Sequence, residues 1–177
     1  MVSIDELRTA VAGPVVTPDD PNYEEARRVY NFMIDKRPAA VATCTSARDV
    51  AAVVSYARDG GYDLAVRGGS HSVPGFGTAD DAVVADLSGM RGVRVDPEAK
   101  LAYVGGGATL GDVNAATGAH GLATPGGIIS TTGIGGLTLG GGIGYHSRSH
   151  GLSVDNVDSV EIVTADGQVR DASESEN

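Results

Sequence analysis

The sequence predicts a mixed α+β fold, and three features of its 177 residues point to that class. An apolar run at 39–43, an amphipathic helix pattern at 46–59 and a second apolar run at 64–66 follow one another in the order strand, helix, strand. Later segments alternate apolar and polar residues in pairs around turn signals, which is typical of antiparallel hairpins. Between these segments the regular patterns give way to glycine, and most of the 26 glycines lie between Gly68 and Gly144.

Residues 1–37 are predicted to form a helical leader packed on the outside of the domain. Ser3 and Glu6 have the spacing of a capping box, so a first helix is expected to begin there. Asp20-Pro21 predicts the start of a second helix, and Pro38 would end it. The predicted buried face of this second helix consists of Tyr23, Ala26, Tyr30 and Met33.

Residues 38–107 are predicted to form a first subdomain around the strand–helix–strand unit. Ser46 is the expected N-cap of its helix, and Gly60-Gly61 is the expected stop. Because a helix connects them, the strands at 39–43 and 64–66 are expected to run parallel. The remaining elements expected here are a strand at 82–87 and a hairpin at 93–104.

Residues 108–177 are predicted to form a second subdomain with less regular structure. Thr109 and Asp112 are spaced to start a short helix. From 121 to 144 neither the helical nor the strand period holds, so irregular backbone is expected. The other expected features are a solvated or lid segment at 146–150, a strand at 157–164, a turn at Asp166-Gly167 and a frayed tail from 171.

Composition and charge exclude several classes of partner. The chain has 13 Lys and Arg against 23 Asp and Glu, a net charge of −10, which argues against a nucleic-acid partner. No apolar run approaches the ~20 residues of a membrane span, and the first residues lack a signal-peptide pattern, so a cytoplasmic location is expected. The one cysteine, Cys44, excludes an internal disulfide and is expected to be buried. The four histidines have no metal spacing, so no metal site is predicted, and the oligomeric state is left open.

The hexapeptide Arg67-Gly68-Gly69-Ser70-His71-Ser72 directly follows the second predicted strand. Glycine permits positive φ and close approach, and successive N–H groups in such a loop can face one anion as a nest. The two serine hydroxyls would add donors. Neither G-x-x-x-x-G-K-[ST] nor G-x-G-x-x-G is present, which argues against a P-loop or Rossmann nucleotide site. A plain tight turn remains the alternative reading of these residues.

His71 is the side chain in this loop best suited to chemistry, and three roles are open to it. It could hydrogen-bond within the loop, ligate a metal, or attack an electrophilic carbon as a neutral imidazole. Taken alone, the residues favour the first role, since no other histidine lies at a metal-ligand spacing from it.

A second glycine-rich run spans 133–144. It is too rich in glycine for an ordinary helix and too irregular for a strand, and a flexible linker is one interpretation. Its apolar residues favour burial instead, so the run is expected to be ordered with its backbone close to a flat ligand. These residues are Ile134, Leu137, Leu139 and Ile143.

Together these stretches resemble the flavin-binding half of the FAD-linked oxidases with a vanillyl-alcohol-oxidase (PCMH-type) FAD-binding domain. More narrowly, they are similar to the berberine-bridge-enzyme-like branch, and the similarity covers nearly the whole chain in the family's order. The stretches that carry it are Asp19-Asp20-Pro21-Asn22-Tyr23, Arg37-Pro38-Ala39-Ala40-Val41, Val66-Arg67-Gly68-Gly69-Ser70-His71-Ser72, Asp86-Leu87-Ser88-Gly89-Met90, Gly133-Ile134-Gly135-Gly136-Leu137-Thr138-Leu139-Gly140-Gly141-Gly142-Ile143-Gly144 and Gly151-Leu152-Ser153-Val154-Asp155-Asn156-Val157.

The resemblance implies two α+β subdomains with an FAD cleft between them. The loop at 67–72 would wrap the FAD diphosphate, and His71 matches the histidine that this family bonds to the 8α-methyl of the isoalloxazine. Ile129 stands where some members carry a second linking cysteine, so at most one covalent bond is expected. Thr132 leaves the choice between oxidase and dehydrogenase open. The cofactor-binding residues implied are Arg67, Gly68, Gly69, Ser70, His71, Ser72, Gly126, Ile129, Gly133, Gly136, Gly140, Gly142 and Gly144.

The activity implied by the resemblance is that of a flavin-dependent oxidoreductase, in which a small-molecule substrate gives a hydride to flavin N5. The family's enzymes are far longer, so the chain is expected to be an N-terminal fragment, incomplete at its C-terminus. The catalytic base and substrate pocket would then lie outside it, and the chain alone would be inactive. A non-catalytic flavin-binding module needs the same cleft and remains an alternative, as does a cofactor-free glycine-rich structural or interaction domain.

Overall fold

Helices and strands alternate in the first third of the chain and later come in runs of one kind, and the computed structural model describes residues 3–176. The helices are α1 (Ile4–Ala10), α2 (Tyr23–Ala26), α3 (Ala47–Gly60), α4 (Leu110–Gly118), α5 (Ile134–Leu139) and α6 (Ser147–His150). The strands are β1 (Val15–Val16), β2 (Ala40–Thr43), β3 (Leu64–Arg67), β4 (Val83–Asp86), β5 (Val93–Asp96), β6 (Leu101–Val104), β7 (Ser159–Val163) and β8 (Val169–Ser173). The predicted α+β class is confirmed.

A four-stranded sheet in the order β1-β2-β4-β3 forms the centre of the first half of the chain. β2 and β3 both pair with β4 in parallel, so that Val41 and Ala65 lie on either side of Val84. The predicted parallel orientation of β2 and β3 is therefore confirmed, although β4 lies between them. Val15 and Val16 of β1 add an antiparallel edge that the sequence patterns did not predict.

The main apolar core lies between this sheet and two helices. Every residue of β4 is buried. Helix α3 contributes Val53 and Ala57, and α1 contributes Leu7, which is 1% exposed. Burial of these side chains removes apolar surface from water, which is the main force that holds the helices against the sheet.

Cys44 follows β2 and is fully buried, as predicted. Burial raises the pKa of its thiol to about 12, and the nearby carboxylates of Asp49 and Asp86 act in the same direction. The thiol therefore stays protonated at neutral pH and is a packing residue rather than a nucleophile.

The second helix of the N-terminal leader is much shorter than predicted, and this prediction is wrong. Helix α2 ends at Ala26 instead of continuing toward Pro38. Tyr30 and Met33, assigned to its buried face, are 59% and 90% exposed. The Tyr30 N–H donates to the carbonyl of Ser70 at 3.2 Å and not to a helical carbonyl. A tertiary contact has overridden the helical spacing of the apolar residues.

The leader is also part of the core and is not packed on the outside as predicted. Leu7 and Tyr23 are almost fully buried, and the Tyr23 hydroxyl donates to the Pro38 carbonyl at 2.7 Å. Val15 and Val16 belong to the central sheet. The boundaries 1–37, 38–107 and 108–177 between predicted parts stay predictions.

The helix starts are confirmed where a side chain caps the backbone. Ser3 and Glu6 form the reciprocal capping box of α1, and the Ser46 hydroxyl accepts from the Asp49 N–H at the start of α3. Thr109 begins α4 in the same way. Such bonds satisfy N–H groups of the first turn, which have no partner inside the helix.

The second half of the chain contains the two predicted hairpins, β5–β6 and β7–β8. The tail is more ordered than expected, since β8 extends to Ser173 and only Asn177 at the end of the tail lies outside the described residues. The segment at 146–150 is largely exposed and forms the short helix α6. Its predicted role as a lid stays a prediction.

The irregular backbone expected for 121–144 contains one helix, α5, and to that extent the prediction is wrong. Two backbone contacts explain why α5 is fixed in place. Gly133 pairs with Thr109 in an isolated β-bridge, and the Ile134 N–H donates to the Ala108 carbonyl at 2.9 Å. These bonds position the first turn of α5 and outweigh the entropic cost of its glycines.

Candidate functional site

The loop that follows β3 carries a run of unpaired main-chain N–H groups. Residues 68–72, called here the 68–72 loop, leave the carboxyl end of the parallel sheet, where α/β units commonly place ligands. Its residues are half-buried. None of its five N–H groups donates to an acceptor within residues 3–176. Ser70 has a φ of +63°, a left-handed conformation uncommon outside glycine. Because these N–H groups have no acceptor within the described residues, the loop can bind an acceptor from outside the chain, such as water or an anionic group.

The side chain of Arg67 is directed away from this loop. Its guanidinium donates to the Asp86 carboxylate at 2.8 Å, and the two side chains are 6% and 12% exposed. A second guanidinium nitrogen reaches the Arg28 carbonyl at 3.3 Å. The arginine therefore links the ends of β3 and β4 to the segment before Tyr30. Its side chain supports the base of the loop and is not free to hold a ligand.

The structure brings the two glycine-rich stretches into direct backbone contact. A methyl group at Gly69 would lie 2.6 Å from the Cα of Gly133 and 3.0 Å from the carbonyl oxygen of Thr131. The converse methyl at Gly133 would lie 2.9 Å from the Cα of Gly69. Real side chains do not tolerate such distances, so both positions require glycine for this contact.

His71 lies at the place where the two stretches meet. Its Nε2 is 2.8 Å from the hydroxyl oxygen of Thr131, and its Nδ1 is 3.4 Å from that of Thr132. The ring of Tyr30 stacks on the imidazole with centroids 4.1 Å apart and planes inclined by 17°. Three segments that are distant in the sequence thus converge on one imidazole.

The role of Tyr30 beside His71 was not predicted from the sequence. The apolar spacing placed Tyr30 on a helix face, whereas its N–H bonds to Ser70 and the side chain of Asn31 donates to the Val73 carbonyl at 2.8 Å. No local pattern signals this contact, because Tyr30 and His71 are far apart in the sequence. Thr131 was also missed, because an irregular segment gives no register from which to orient a side chain.

Residues 126–144, called here the 126–144 segment, contain glycines of two kinds. The first kind is needed for packing within the protein. A methyl at Gly126 would press on Leu110, and one at Gly144 would overlap the Gly126 carbonyl. Gly142 has a φ of +76° and lies against Ser153. Gly133 also belongs to this kind because of its contact with the 68–72 loop.

The second kind of glycine is not needed for packing within the protein. A methyl at Gly136 would meet no protein atom within 4 Å among the described residues, and one at Gly140 would touch only the backbone of its own helix. In the 68–72 loop, Gly68 has only an ordinary 3.5 Å neighbour in the Gly106 carbonyl. None of the three has a positive φ. Ile129, also predicted for the site, is 52% exposed.

Residues 3–176 contain no cluster of three or more His, Cys, Asp or Glu side chains placed for a metal ion. No helix among them is long and apolar enough to cross a lipid bilayer. The donors gathered at the site are main-chain N–H groups, hydroxyls and one imidazole, which suit a neutral or anionic organic ligand.

The fold and the paired glycine stretches define a PCMH-type FAD-binding domain of the kind found in FAD-linked oxidases. The structure superposes on 6-hydroxy-D-nicotine oxidase from Arthrobacter nicotinovorans with a TM-score of 0.92 and 36% identity, covering 94% of this chain and 37% of that one. The BBE-like 1 protein of Physcomitrella patens matches with a TM-score of 0.92 and 32% identity, over 99% of this chain and 39% of that one.

The chain belongs to the FAD binding domain family, whose sequence model matches residues 38–173. Among curated relatives, (R)-6-hydroxynicotine oxidase of Paenarthrobacter nicotinovorans is 35% identical over 160 residues, which are 90% of this chain and 35% of the relative. The chain therefore spans little more than a third of the length of these three relatives. The predicted resemblance to FAD-linked, berberine-bridge-enzyme-like proteins is confirmed.

Proposed function

We propose that this chain forms the FAD-binding part of a flavin-dependent oxidoreductase, with the cofactor held between the 68–72 loop and the 126–144 segment. The observation that carries the proposal is the pairing of two features at one place. Five N–H groups have no acceptor within the described residues, and Gly68 and Gly136 are glycine without a packing reason. Together they leave donors and space that the protein itself does not use.

The 68–72 loop fits the diphosphate of FAD. Its successive N–H groups can face an anion as a nest, and the hydroxyl of Ser70 would add a donor. The Ser72 hydroxyl instead accepts from the Phe76 N–H at 3.0 Å, which orders the turn that follows. Arg67 contributes through its backbone and through its support of the loop from below. The net charge of −10 is no obstacle, because the donors are local dipoles and not free cations.

The 126–144 segment fits a flat ring. Gly136 and Gly140 expose backbone where a larger side chain would stand between the ring and the main chain. Ile129 offers an exposed apolar side chain nearby in sequence. The remaining predicted residues, Gly126, Gly142 and Gly144, would act by shaping this segment, since protein atoms already fill the space beside them.

His71 is the proposed point of covalent attachment, through the 8α-carbon of the isoalloxazine. A neutral imidazole is a competent nucleophile, and His71 is half-buried where the two glycine stretches meet. One bond is proposed and no second, because Ile129 is not a nucleophile and Cys44 is fully buried. When bound, the flavin supplies the electron chemistry by accepting a hydride at N5 from a small-molecule substrate. For this chain alone we propose FAD binding without turnover.

Replacing Gly136 with alanine tests the space left beside the backbone. Alanine should stabilise α5 by about 0.5–1 kcal/mol, because glycine is the poorer helix former. FAD affinity should nevertheless fall at least about tenfold, a loss of about 1.4 kcal/mol, because the methyl group occupies the proposed ring position. Binding is measured by titrating the purified chain with FAD and following the quenching of flavin fluorescence.

Gly118→Ala is the matched control, since Gly118 is also helical and also has open space beside it. It should raise the free energy of unfolding by a similar amount and leave FAD affinity unchanged. Equal FAD affinity in both variants would show that the flavin ring does not lie beside Gly136. A wild-type chain that takes up no FAD would overturn the proposed function as a whole.

Replacing His71 with alanine tests the covalent bond. The wild-type chain incubated with FAD should retain flavin after acid precipitation and should gain the mass of one FAD. The His71→Ala variant should bind FAD reversibly and lose all of it in acid, because no other nucleophile is proposed at the ring. His120→Ala is the control and should retain acid-stable flavin. Acid-stable flavin in His71→Ala would place the attachment at another residue.

A further inference from the structure

Three side chains contact the His71 imidazole, and none of them belongs to the 68–72 loop. Tyr30 covers one face of the ring, Thr131 meets Nε2, and Thr132 lies near Nδ1. All three side chains are distant from His71 in the sequence. An imidazole that only hydrogen-bonded its own loop would need no such surroundings.

We propose that Tyr30 and Thr131 are positioning residues that hold His71 as the neutral tautomer protonated on Nε2, which leaves the lone pair of Nδ1 free to bond to the flavin. The proposal rests on the proposed function, since flavin attachment is the reaction served. The tautomer itself can be measured without FAD, so the two proposals can fail separately.

Tyr30 fixes the plane of the imidazole from one side. Its ring is nearly parallel to the imidazole at 4.1 Å, and its N–H donates to the carbonyl of Ser70, the residue before His71. Asn31 then bonds to Val73, two residues after His71. The tyrosine is 59% exposed, so core packing does not explain an aromatic ring at this position. The ring and backbone of Tyr30 together restrict the rotation of His71.

Thr131 is the proposed acceptor for the imidazole proton. Its hydroxyl, which can accept from an N–H or donate to a lone pair, lies 2.8 Å from Nε2, an ordinary hydrogen-bond distance, whereas the Thr132 hydroxyl lies 3.4 Å from Nδ1, near the limit for a hydrogen bond. In a neutral imidazole one nitrogen is a donor and the other an acceptor, and the partner of one decides the state of the other. An Nε2–H that donates to Thr131 leaves Nδ1 with a lone pair that is only loosely engaged. That nitrogen is the one able to form a new bond.

The attachment step balances without a further oxidant. One N–C bond forms between Nδ1 and the 8α-carbon, and one C–H bond of that carbon is broken. The carbon is oxidised, the electron pair passes to the flavin ring, and the ring is left reduced. The methyl proton and the Nε2 proton are released, and the reduced ring takes up protons in their place. Thr131 is exposed to solvent and adjoins Nε2, so it provides the path by which the Nε2 proton reaches water.

The tautomer is tested by NMR of the FAD-free chain with ¹⁵N-labelled histidine, at about pH 8.5, well above the ordinary imidazole pKa of about 6.5. Protonated and unprotonated ring nitrogens have well-separated ¹⁵N shifts, and a His71→Gln spectrum identifies the signals of His71. The wild type should show Nε2 protonated. Thr131→Val should lose this single tautomer, and Thr131→Ser should keep it. Thr124→Val makes the same chemical change outside the 126–144 segment, serves as the control and should also keep the tautomer.

The attachment rate is measured by mixing FAD with each FAD-free variant and following acid-stable flavin over time. Thr131→Val and Tyr30→Ala should attach FAD at least about tenfold more slowly, as is typical when the partner that orients a functional imidazole is removed. Thr131→Ser, Tyr30→Phe and Thr124→Val should stay within about twofold of the wild type. Reversible FAD affinity, measured in the His71→Ala background, should be the same with and without each change.

An Nδ1-protonated or mixed wild-type tautomer would overturn the proposal, and so would equal attachment rates in Thr131→Val and Thr124→Val. If attachment slows only in variants that also lose reversible FAD affinity, Tyr30 and Thr131 have a structural role and the proposal is overturned. A wild-type chain that binds no FAD would instead contradict the proposed function. In that case the NMR spectra would still decide whether Thr131 sets the tautomer.

Discussion

Gly69→Ala is expected to separate the two glycine-rich stretches and to abolish tight FAD binding. The new methyl group would lie 2.6 Å from the Cα of Gly133 and 3.0 Å from the Thr131 carbonyl. These are backbone atoms and cannot rotate away, so the 68–72 loop and the 126–144 segment must move apart. The free energy of unfolding should fall by about 3 kcal/mol, the upper part of the range for overpacking. FAD affinity should fall by about 100-fold or more, a loss of about 2.7 kcal/mol.

Gly68→Ala is the matched control for this variant, one residue earlier in the same loop. Its methyl group would meet only the Gly106 carbonyl at 3.5 Å, an ordinary contact. Denaturant unfolding should show a change of less than about 1 kcal/mol for Gly68→Ala, and FAD titration should still show weakened binding. If Gly69→Ala unfolds at the same denaturant concentration as Gly68→Ala, the backbone contact with Gly133 does not stabilise the domain.

Asp86→Asn is expected to destabilise the domain by about 3–5 kcal/mol, the usual cost of leaving one partner of a buried ion pair uncompensated. The Arg67 guanidinium would remain 6% exposed beside a neutral amide. Asparagine keeps an oxygen for the Ser88 N–H, which donates to Asp86 at 3.1 Å, so the variant isolates the loss of charge. Because Arg67 also bonds to the Arg28 carbonyl, the 68–72 loop and its neighbours should loosen together, and flavin attachment to His71 should slow.

Asp59→Asn makes the same chemical change in an exposed ion pair. Asp59 lies 2.8 Å from the Arg58 guanidinium, and the two side chains are about half exposed. Its free energy of unfolding should change by less than about 1 kcal/mol, because water and salt screen exposed pairs. Guanidinium chloride adds salt of its own, so both variants are compared in urea. Equal stability of the two variants would show that the Arg67–Asp86 pair makes no special contribution.

The sequence was most informative where a structure is specified by residues close to one another. Capping pairs such as Thr109 and Asp112 satisfy backbone groups within one turn, so the helix start can be read directly. Alternation likewise predicted both hairpins. The same method failed for the leader, where Tyr30 has a helical spacing but bonds to Ser70 instead. The spacing of apolar residues predicts which side chains could share a buried face, but it does not predict which face packs against another element.

Part of the candidate site could likewise be predicted from the sequence, and part could not. Residue types predicted the loop at 67–72 and the ordered run at 133–144 as its two parts, and the family resemblance added Gly126, Ile129 and the covalent role of His71, which stay predictions. The direction of Arg67 could not be predicted, since a guanidinium after a strand can turn toward the loop or toward the neighbouring strand. It turned inward because Asp86, at the end of β4, offers a buried carboxylate 2.8 Å away. A parallel register, which only the folded sheet sets, put these two side chains opposite each other.

The sequence by itself determined the fold class and, through the order of its motifs, the family, because local bonding, periodicity and motif order are properties of the chain. Tertiary structure alone decided which glycines contact each other, which have open space beside them, and what surrounds His71. These depend on backbone atoms of Gly69 and Gly133 that meet across more than sixty residues. No local pattern encodes such a contact, because its energy arises only when both segments are already in place.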